Sequence, residues 1–216
     1  MKKILIMTAV AAERDAVLRG LQGDPRFKVI EAGVGPIEAA VRTATELALA
    51  ADNRYELVIS AGIAGGFNGV ADVGSLVVAS SIVAADLGAE TPDGFLSLDE
   101  LGFGSATIAT DEGKSRQIVD ALCAAKLPAR YGPILTLATV TGSAATADKL
   151  ALRVSGAAAE AMEGFGIAAA ARHQSIPIVE IRAISNAVGP RDRSAWRIKD
   201  ALQALEAASS VLVEVL

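Results

Sequence analysis

The segment Ala159-Glu160-Ala161-Met162-Glu163-Gly164-Phe165-Gly166 sets an acidic residue, Glu163, after a methionine and ahead of small residues, and the apolar run continues through Ile167 to Ala171. A carboxylate buried in such a run is costly unless something hydrogen-bonds it. An ionised carboxylate only accepts, and two neighbouring hydroxyls can each donate. Glu163 is therefore a candidate anchor for a ribose-like group, with Met162 placed to lie against the sugar face.

Ser60-Ala61-Gly62-Ile63-Ala64-Gly65-Gly66 follows a short apolar run, and glycines let a backbone approach a ligand and offer its amides. The stretch fits neither the spacing of a P-loop nor Gly-x-Gly-x-x-Gly, so it reads either as a ligand loop or as a plain turn. Glu13 opens the first predicted helix just after the first predicted strand, at the mouth of the crevice where α/β sheets bind ligands. There it can deprotonate a water, or it can be no more than a favourable acid in a helix's first turn. Ile184-Ser185-Asn186-Ala187-Val188-Gly189-Pro190-Arg191-Asp192 closes the last strand. Asn186 carries a donor and an acceptor and can read a purine edge in both senses, although Asn is also a common loop residue. Arg191 and Asp192 are expected to form an ion pair. The single histidine, His173, falls near a predicted helix C-terminus, where a cation is favourable, and Cys123 falls mid-helix at a packing position. Neither supports a catalytic triad, and no Cys/His/Asp cluster has metal-ligand spacing, so no metal is expected. Trp196 and Arg197 read as packing residues at the start of the last helix.

Alternating elements must carry these groups. Lys3 to Met7 reads as a strand, Ala11 to Leu21 as a helix with Ala11, Val17, Leu18 and Leu21 at apolar spacing, and Phe27 to Ala32 as a strand. Gly33-Val34-Gly35-Pro36 is a turn, Ile37 to Ala51 a helix, and Leu57 to Ser60 a buried strand running into the glycine-rich stretch. Val73 to Asp86 is strand-like and Glu90 to Phe103 a loop excursion. Next come a helix over Lys114 to Lys126, a strand over Ile134 to Thr139 and a short helix over Thr146 to Leu152. A strand over Ala158 to Met162, a helix over Gly164 to His173, a strand over Ile178 to Ser185 and a helix over Ala195 to Leu216 complete the chain. Strands alternating with helices predict an α/β protein, a three-layer α/β/α domain, and the absence of a linker or repeat predicts one domain over residues 1–216.

Composition agrees. The 216 residues suffice for a sizeable core, and 52% hydrophobic against 21% charged residues argues against disorder. No apolar run reaches the ~20 residues of a spanning helix, and the apolar run after Lys2-Lys3 is too short for a signal peptide. With one cysteine there is no internal disulfide, so a cytoplasmic location is expected. A net charge of −5 argues against a general nucleic-acid binder, and no membrane partner is expected.

In their order and spacing, Ser60 to Gly66, Ala161-Met162-Glu163 and Arg182-Ala183-Ile184-Ser185-Asn186 resemble the nucleoside phosphorylase and nucleosidase superfamily over nearly the whole chain. The Met-Glu pair and the Arg-Ala-Ile-Ser strand end are similar to its hydrolase branch, which includes methylthioadenosine/S-adenosylhomocysteine nucleosidase. Within that branch Ala161 to Gly166, and Ser185 to Asp192, look most like the futalosine hydrolase family. That family splits futalosine and water into hypoxanthine and dehypoxanthine futalosine, in the alternative menaquinone pathway. The resemblance implies a nucleoside phosphorylase-like fold with a central mixed, mostly parallel sheet, no cofactor or metal, a purine nucleoside substrate and a homo-oligomer, a dimer or larger. The loop Glu90 to Phe103 is a candidate part of its interface.

Carried over by position, the resemblance makes Glu163 and Met162 the ribose-binding pair and Glu13 the acid that positions the attacking water. Ile63, Ala64 and Gly65 flank ribose and base, and Ser185 stands beside Asn186 among the substrate-binding residues. Ala145 and Thr146 fall where adenine-type relatives place an aromatic and an aliphatic residue, so the stacking aromatic is lost and Phe165 or Phe103 is its candidate substitute. Asn186 stands where adenine-cleaving relatives have Asp; Asn cannot protonate N7 but can donate to O6 or N7 of hypoxanthine, which points to a 6-oxopurine. Arg191, Arg193 and Arg197 are candidate partners for an anionic tail. Open beside this reading are an adenine nucleosidase, a phosphorolytic enzyme, for which Arg14 and Arg42 are the nearest cations, and a non-catalytic nucleoside-binding module. The presence of both Glu13 and Glu163 speaks for catalysis.

Overall fold

The computed structural model describes residues 3–50 and 55–216. Its strands are β1 (Ile4–Thr8), β2 (Phe27–Glu31), β3 (Leu57–Gly66), β4 (Leu76–Ala84), β5 (Gly88–Thr91), β6 (Gly94–Ser97), β7 (Thr107–Ala109), β8 (Ala129–Thr136), β9 (Ala159–Ala161) and β10 (Ile178–Ala187). Its α-helices are α1 (Ala11–Leu21), α2 (Pro36–Leu49), α3 (Leu98–Leu101), α4 (Glu112–Ala124), α5 (Ala144–Arg153), α6 (Gly164–His173) and α7 (Ile198–Val215). The predicted end of the second helix at Ala51, and Met1 and Lys2, lie outside the described residues.

Side chains alternate across the strands and sort the core into two layers. Leu5, Met7 and Val58 pack with Ala39, Leu47, Ile167 and Ala171 on the α2/α6 face. Ile4, Ile6, Leu57 and Ile59 pack with Val17, Leu21, Ile118, Leu122, Leu205 and Leu212 on the α1/α4/α7 face. The result is the expected α/β/α sandwich around a mixed, mostly parallel sheet. β1 pairs in parallel with β2 and β3, β3 with β10, and β4 and β9 with β8. β10–β4, β3–β9 and β4–β7 are antiparallel.

Part of this sheet closes on itself. β10 pairs with both β3 and β4, β4 with β8, β8 with β9, and β9 returns to β3. Since β10 takes one edge of β3 along Val58–Gly66, β1 and β9 share the other. β1 covers Leu57 to Ser60 and β9 covers Gly65 and Gly66, which leaves a gap at Ala61 to Ala64.

Several expectations are corrected. The glycine-rich stretch is not a loop but the second half of β3, because β10 supplies a ladder up to Gly66. Glu90 to Phe103 is a hairpin, β5–β6, followed by α3, whose Ser97 and Glu100 cap each other's amides. α5 starts two residues before the predicted helix, at Ala144, behind the cap Ser143, whose hydroxyl accepts from Thr146 N. α1 buries Ala16, Val17, Gly20 and Leu21, whereas Leu18 is exposed. Cys123 is exposed rather than packed. Asp192 accepts from Ser194 instead of pairing with Arg191.

Candidate active site

Glu13 is held where the sheet parts. It is the third residue of α1, and Ala9 N and Val10 N donate to its Oε2 at 2.8 and 3.3 Å. Its Oε1 accepts from Ile63 N at 2.8 Å, an amide inside the stretch of β3 that neither β1 nor β9 covers. The carboxylate thus takes the place of a missing strand, and at 3% exposure it is buried. Burial is the largest influence on its pKa and raises it; Arg182 and the Ile63 amide pull the other way.

Glu163 stands at the N-cap position of α6 with its side chain turned away from that helix's amides, and its Oε1 accepts from Gly35 N, at the start of α2, at 3.2 Å. The N-terminus of α2 therefore supplies a backbone donor to this carboxylate. It is 4% exposed, and its Oε2 lies 3.3 Å from Arg182 Nη1. Arg182 is itself 1% exposed; its Nε donates to Glu180 Oε1 at 2.8 Å and its Nη2 to Ser60 Oγ at 3.1 Å. Burial also raises the pKa of the fully enclosed Glu180, again against the pull of Arg182. Arg182 is thus a central cation among three carboxylates, Glu13, Glu163 and Glu180, and holds them in place from beneath. Two glycines make room for it. A Cβ on Gly62 would lie 2.6 Å from both Arg182 Nη1 and Glu13 Oε1, and one on Gly164 would collide with both oxygens of Glu180.

Above Arg182, Glu13 and Glu163 line a cavity of about 330 Å³. Glu13, Ile63, Ala64, Gly65, Met162, Glu163, Ser185 and Asn186 all line it, so eight of the ten candidate residues come together. Ala145 and Thr146 do not: both are exposed on the first turn of α5. Val140 and Thr141, from the loop before α5, line the cavity instead. Phe103 is solvent-exposed and Phe165, in the first turn of α6, is half-buried against the core; the aromatic in the lining is Trp196, which the sequence assigns to packing. A bulge after Ile184 re-aims the end of β10. Ser185 Oγ donates to Asn186 Oδ1 at 2.8 Å, so the Asn186 amide is oriented with Nδ2 as donor, one N–H of which meets Ala187 O.

Sequence reasoning missed Arg182, Glu180 and Glu160 as part of the arrangement. Glu160 also lines the cavity. The signal for the first two was a charged pair, Glu180 and Arg182, two residues apart in the otherwise apolar first part of a strand, Ile178 to Ile184, hence on one face of a buried sheet. Arg14 and Arg42 stay outside the cavity lining, and Arg14 pairs with Asp15 and Glu31.

The arrangement invites comparison with known proteins. The family model described as the Phosphorylase superfamily matches residues 10–216. The chain is 49% identical to futalosine hydrolase of Streptomyces coelicolor, over 99% of this chain and 96% of that one. It is 45% identical to futalosine hydrolase of Acidothermus cellulolyticus, over 97% and 90%. Among solved structures it superposes with TM-score 0.84 on futalosine hydrolase of Helicobacter pylori, at 18% identity and covering 100% and 98% of the two chains. The same score and identity, over 99% and 100%, relate it to 5'-methylthioadenosine/S-adenosylhomocysteine nucleosidase from Neisseria meningitidis in complex with methylthio-immucillin-A.

Proposed function

Because the chain belongs to the phosphorylase superfamily and, over its whole length, to the futalosine hydrolase family, we propose that it uses water to cleave the N-glycosidic bond of futalosine. The products are hypoxanthine and dehypoxanthine futalosine, and the reaction serves the alternative route to menaquinone. The observation that carries hydrolysis over phosphorolysis is the charge of the cavity. Glu13, Glu160 and Glu163 line it and, among the described residues, no Lys or Arg does. Such a field opposes a phosphate dianion and favours the positive charge that an oxocarbenium-like sugar develops. Neutral water enters without that opposition.

In this reading Glu163 accepts from the 2′- and 3′-hydroxyls of the ribose, with Met162 beside the ring. The oxygen of water attacks C1′ while the C1′–N9 electron pair leaves with the base, and Glu13 takes the water's proton. Three backbone amides fix Glu13, and burial makes it a stronger base than an exposed Glu. Asn186 Nδ2 donates to O6 or N7 as negative charge spreads over the departing hypoxanthine. No step in this chemistry calls for a cofactor or metal.

The working form is a homo-oligomer of a single catalytic domain in the cytoplasm. Val34, Ile37 and Val41 are exposed at the start of α2, and Val34 also lines the cavity, so a second copy that covers this stripe also walls the substrate site. The deciding assay incubates the purified protein with futalosine, inosine and methylthioadenosine, with and without phosphate. Hypoxanthine released from futalosine at a rate independent of phosphate is expected. A sugar 1-phosphate product, or turnover of methylthioadenosine alone, would overturn the assignment.

A further inference from the structure

Glu160 is the one buried cavity carboxylate to which hydrolysis gives no task. It lies on β9 and is 5% exposed. Thr141 N donates to its Oε1 at 2.8 Å and Thr141 Oγ1 to its Oε2 at 2.5 Å. Each carboxylate oxygen has two acceptor positions, so one on each remains for a ligand. Strand pairing sets Glu160 in a row with the base-facing end of the site: Asn186 pairs with Gly65, and Gly65 with Glu160. Residues paired directly across neighbouring strands project to the same face. Gly65, in the middle, has no side chain. Asn186 Nδ2 and a Val188 methyl lean over it, and Asn186 and Glu160 stand on either side of it in the cavity lining, with Cα atoms about 10 Å apart by two strand spacings. A flat bicyclic base held in this cavity would meet the two polar side chains at opposite edges.

We propose that Glu160 selects the base by accepting the N1–H of a 6-oxopurine, opposite the donor that Asn186 presents to O6 or N7. This rests on the hydrolase reading above and names the residue that sets its specificity. Hypoxanthine, as the lactam, offers an N1–H donor and an O6 acceptor. Adenine fails at both ends, since its N1 lone pair meets a carboxylate and its 6-amino group meets a donor. Thr141 occupies one position on each oxygen with a donor, which holds the group in one rotamer. A negative charge beside the departing base does nothing to help it leave, so the role is discrimination rather than rate.

The test measures kcat/KM for futalosine and for the same nucleoside carrying adenine, in the wild type and in Glu160→Gln. The amide keeps an acceptor for Thr141 and gains a donor for a bare N1. The 6-oxo over 6-amino preference should fall at least about tenfold, by loss on one substrate and gain on the other. If both substrates change by the same factor, Glu160 merely tethers the Thr141 loop and the assignment is wrong. Thr141→Val serves as the tether control and should lower both substrates together. Should Glu160→Gln not fold, the wild type decides by calorimetry: hypoxanthine should bind at least about tenfold more tightly than 1-methylhypoxanthine, and equal affinity overturns the proposal. A wild type that releases no hypoxanthine removes the hydrolase reading itself. Normal release with an unchanged preference in the variant removes only the role of Glu160.

Discussion

Glu13 and Glu163 are both glutamates at helix starts, and their surroundings set them apart. Glu163 accepts from the amide that opens α2 and lies against Arg182. Burial is the largest influence at Glu13 and raises its pKa. A base must be ionised, so kcat/KM is expected to fall, on acidification, at a pH above the ~4.3 of an ordinary Glu. That acid limb should be missing from the residual activity of Glu13→Gln. The same shift acts on stability in the opposite sense. Glu13, Glu160 and Glu180 bind protons more tightly folded than unfolded, so their contribution is full below the unfolded value and is lost as pH rises through the raised ones. Glu163→Gln keeps the shape but weakens the grip on two hydroxyls, and kcat/KM is expected to drop by about 100-fold or more with the thermal midpoint nearly unchanged. Asn186→Asp should move preference towards adenine nucleosides, read as the ratio of adenine to hypoxanthine released from paired substrates. At this scale Glu163 was legible as an acid in an apolar run, while Glu13 and Asn186 were marked only by their places after the first strand and at the end of the last, and took their roles from the family resemblance. Glu160 lay in the same quoted segment yet went unassigned, since only the pairing of β9 with β3 shows that it faces the cavity.

Elements were legible where periodicity is long. The strands over Ile4 to Thr8 and Ile178 onward, and α1, α6 and α7, follow from apolar spacing. What periodicity does not show is how far a strand continues when its ladder comes from a distant segment, as with β3 through Gly66. The Pro92-Asp93-Gly94 run was a hairpin signal inside what reads as a loop. Ala145 and Thr146 fell outside the cavity because Ser143 caps α5 and turns its first residues outward. The tightest constraint at this level is the contact of α6 with β10 at Gly164. Gly164→Ala drives a methyl into the enclosed Glu180 carboxylate, which has no room to yield. It should destabilise the protein by about 2–3 kcal/mol, measured by urea unfolding, and disturb the seat of Glu163 one residue away.

For the molecule as a whole, the exposed stripe on α2 is the surface on which the proposed homo-oligomer would close. Ile37 is 80% exposed beside a cavity wall. Ile37→Asp is expected to shift the sedimentation coefficient to that of a single chain and to weaken substrate binding, with the fold retained by circular dichroism. An unchanged coefficient would place any self-association elsewhere.

The closed ring of strands bears on how the chain is made. β10, which fits between β3 and β4, is the last strand in the sequence. While a ribosome is still translating the stretch before Ile178, the emerging polypeptide carries two bare strand borders that nothing upstream can mate. Those borders are open to adhesion with other nascent chains. Synthesis halted at that point yields a product without Arg182 or Asn186, and also one inclined to stick to its neighbours.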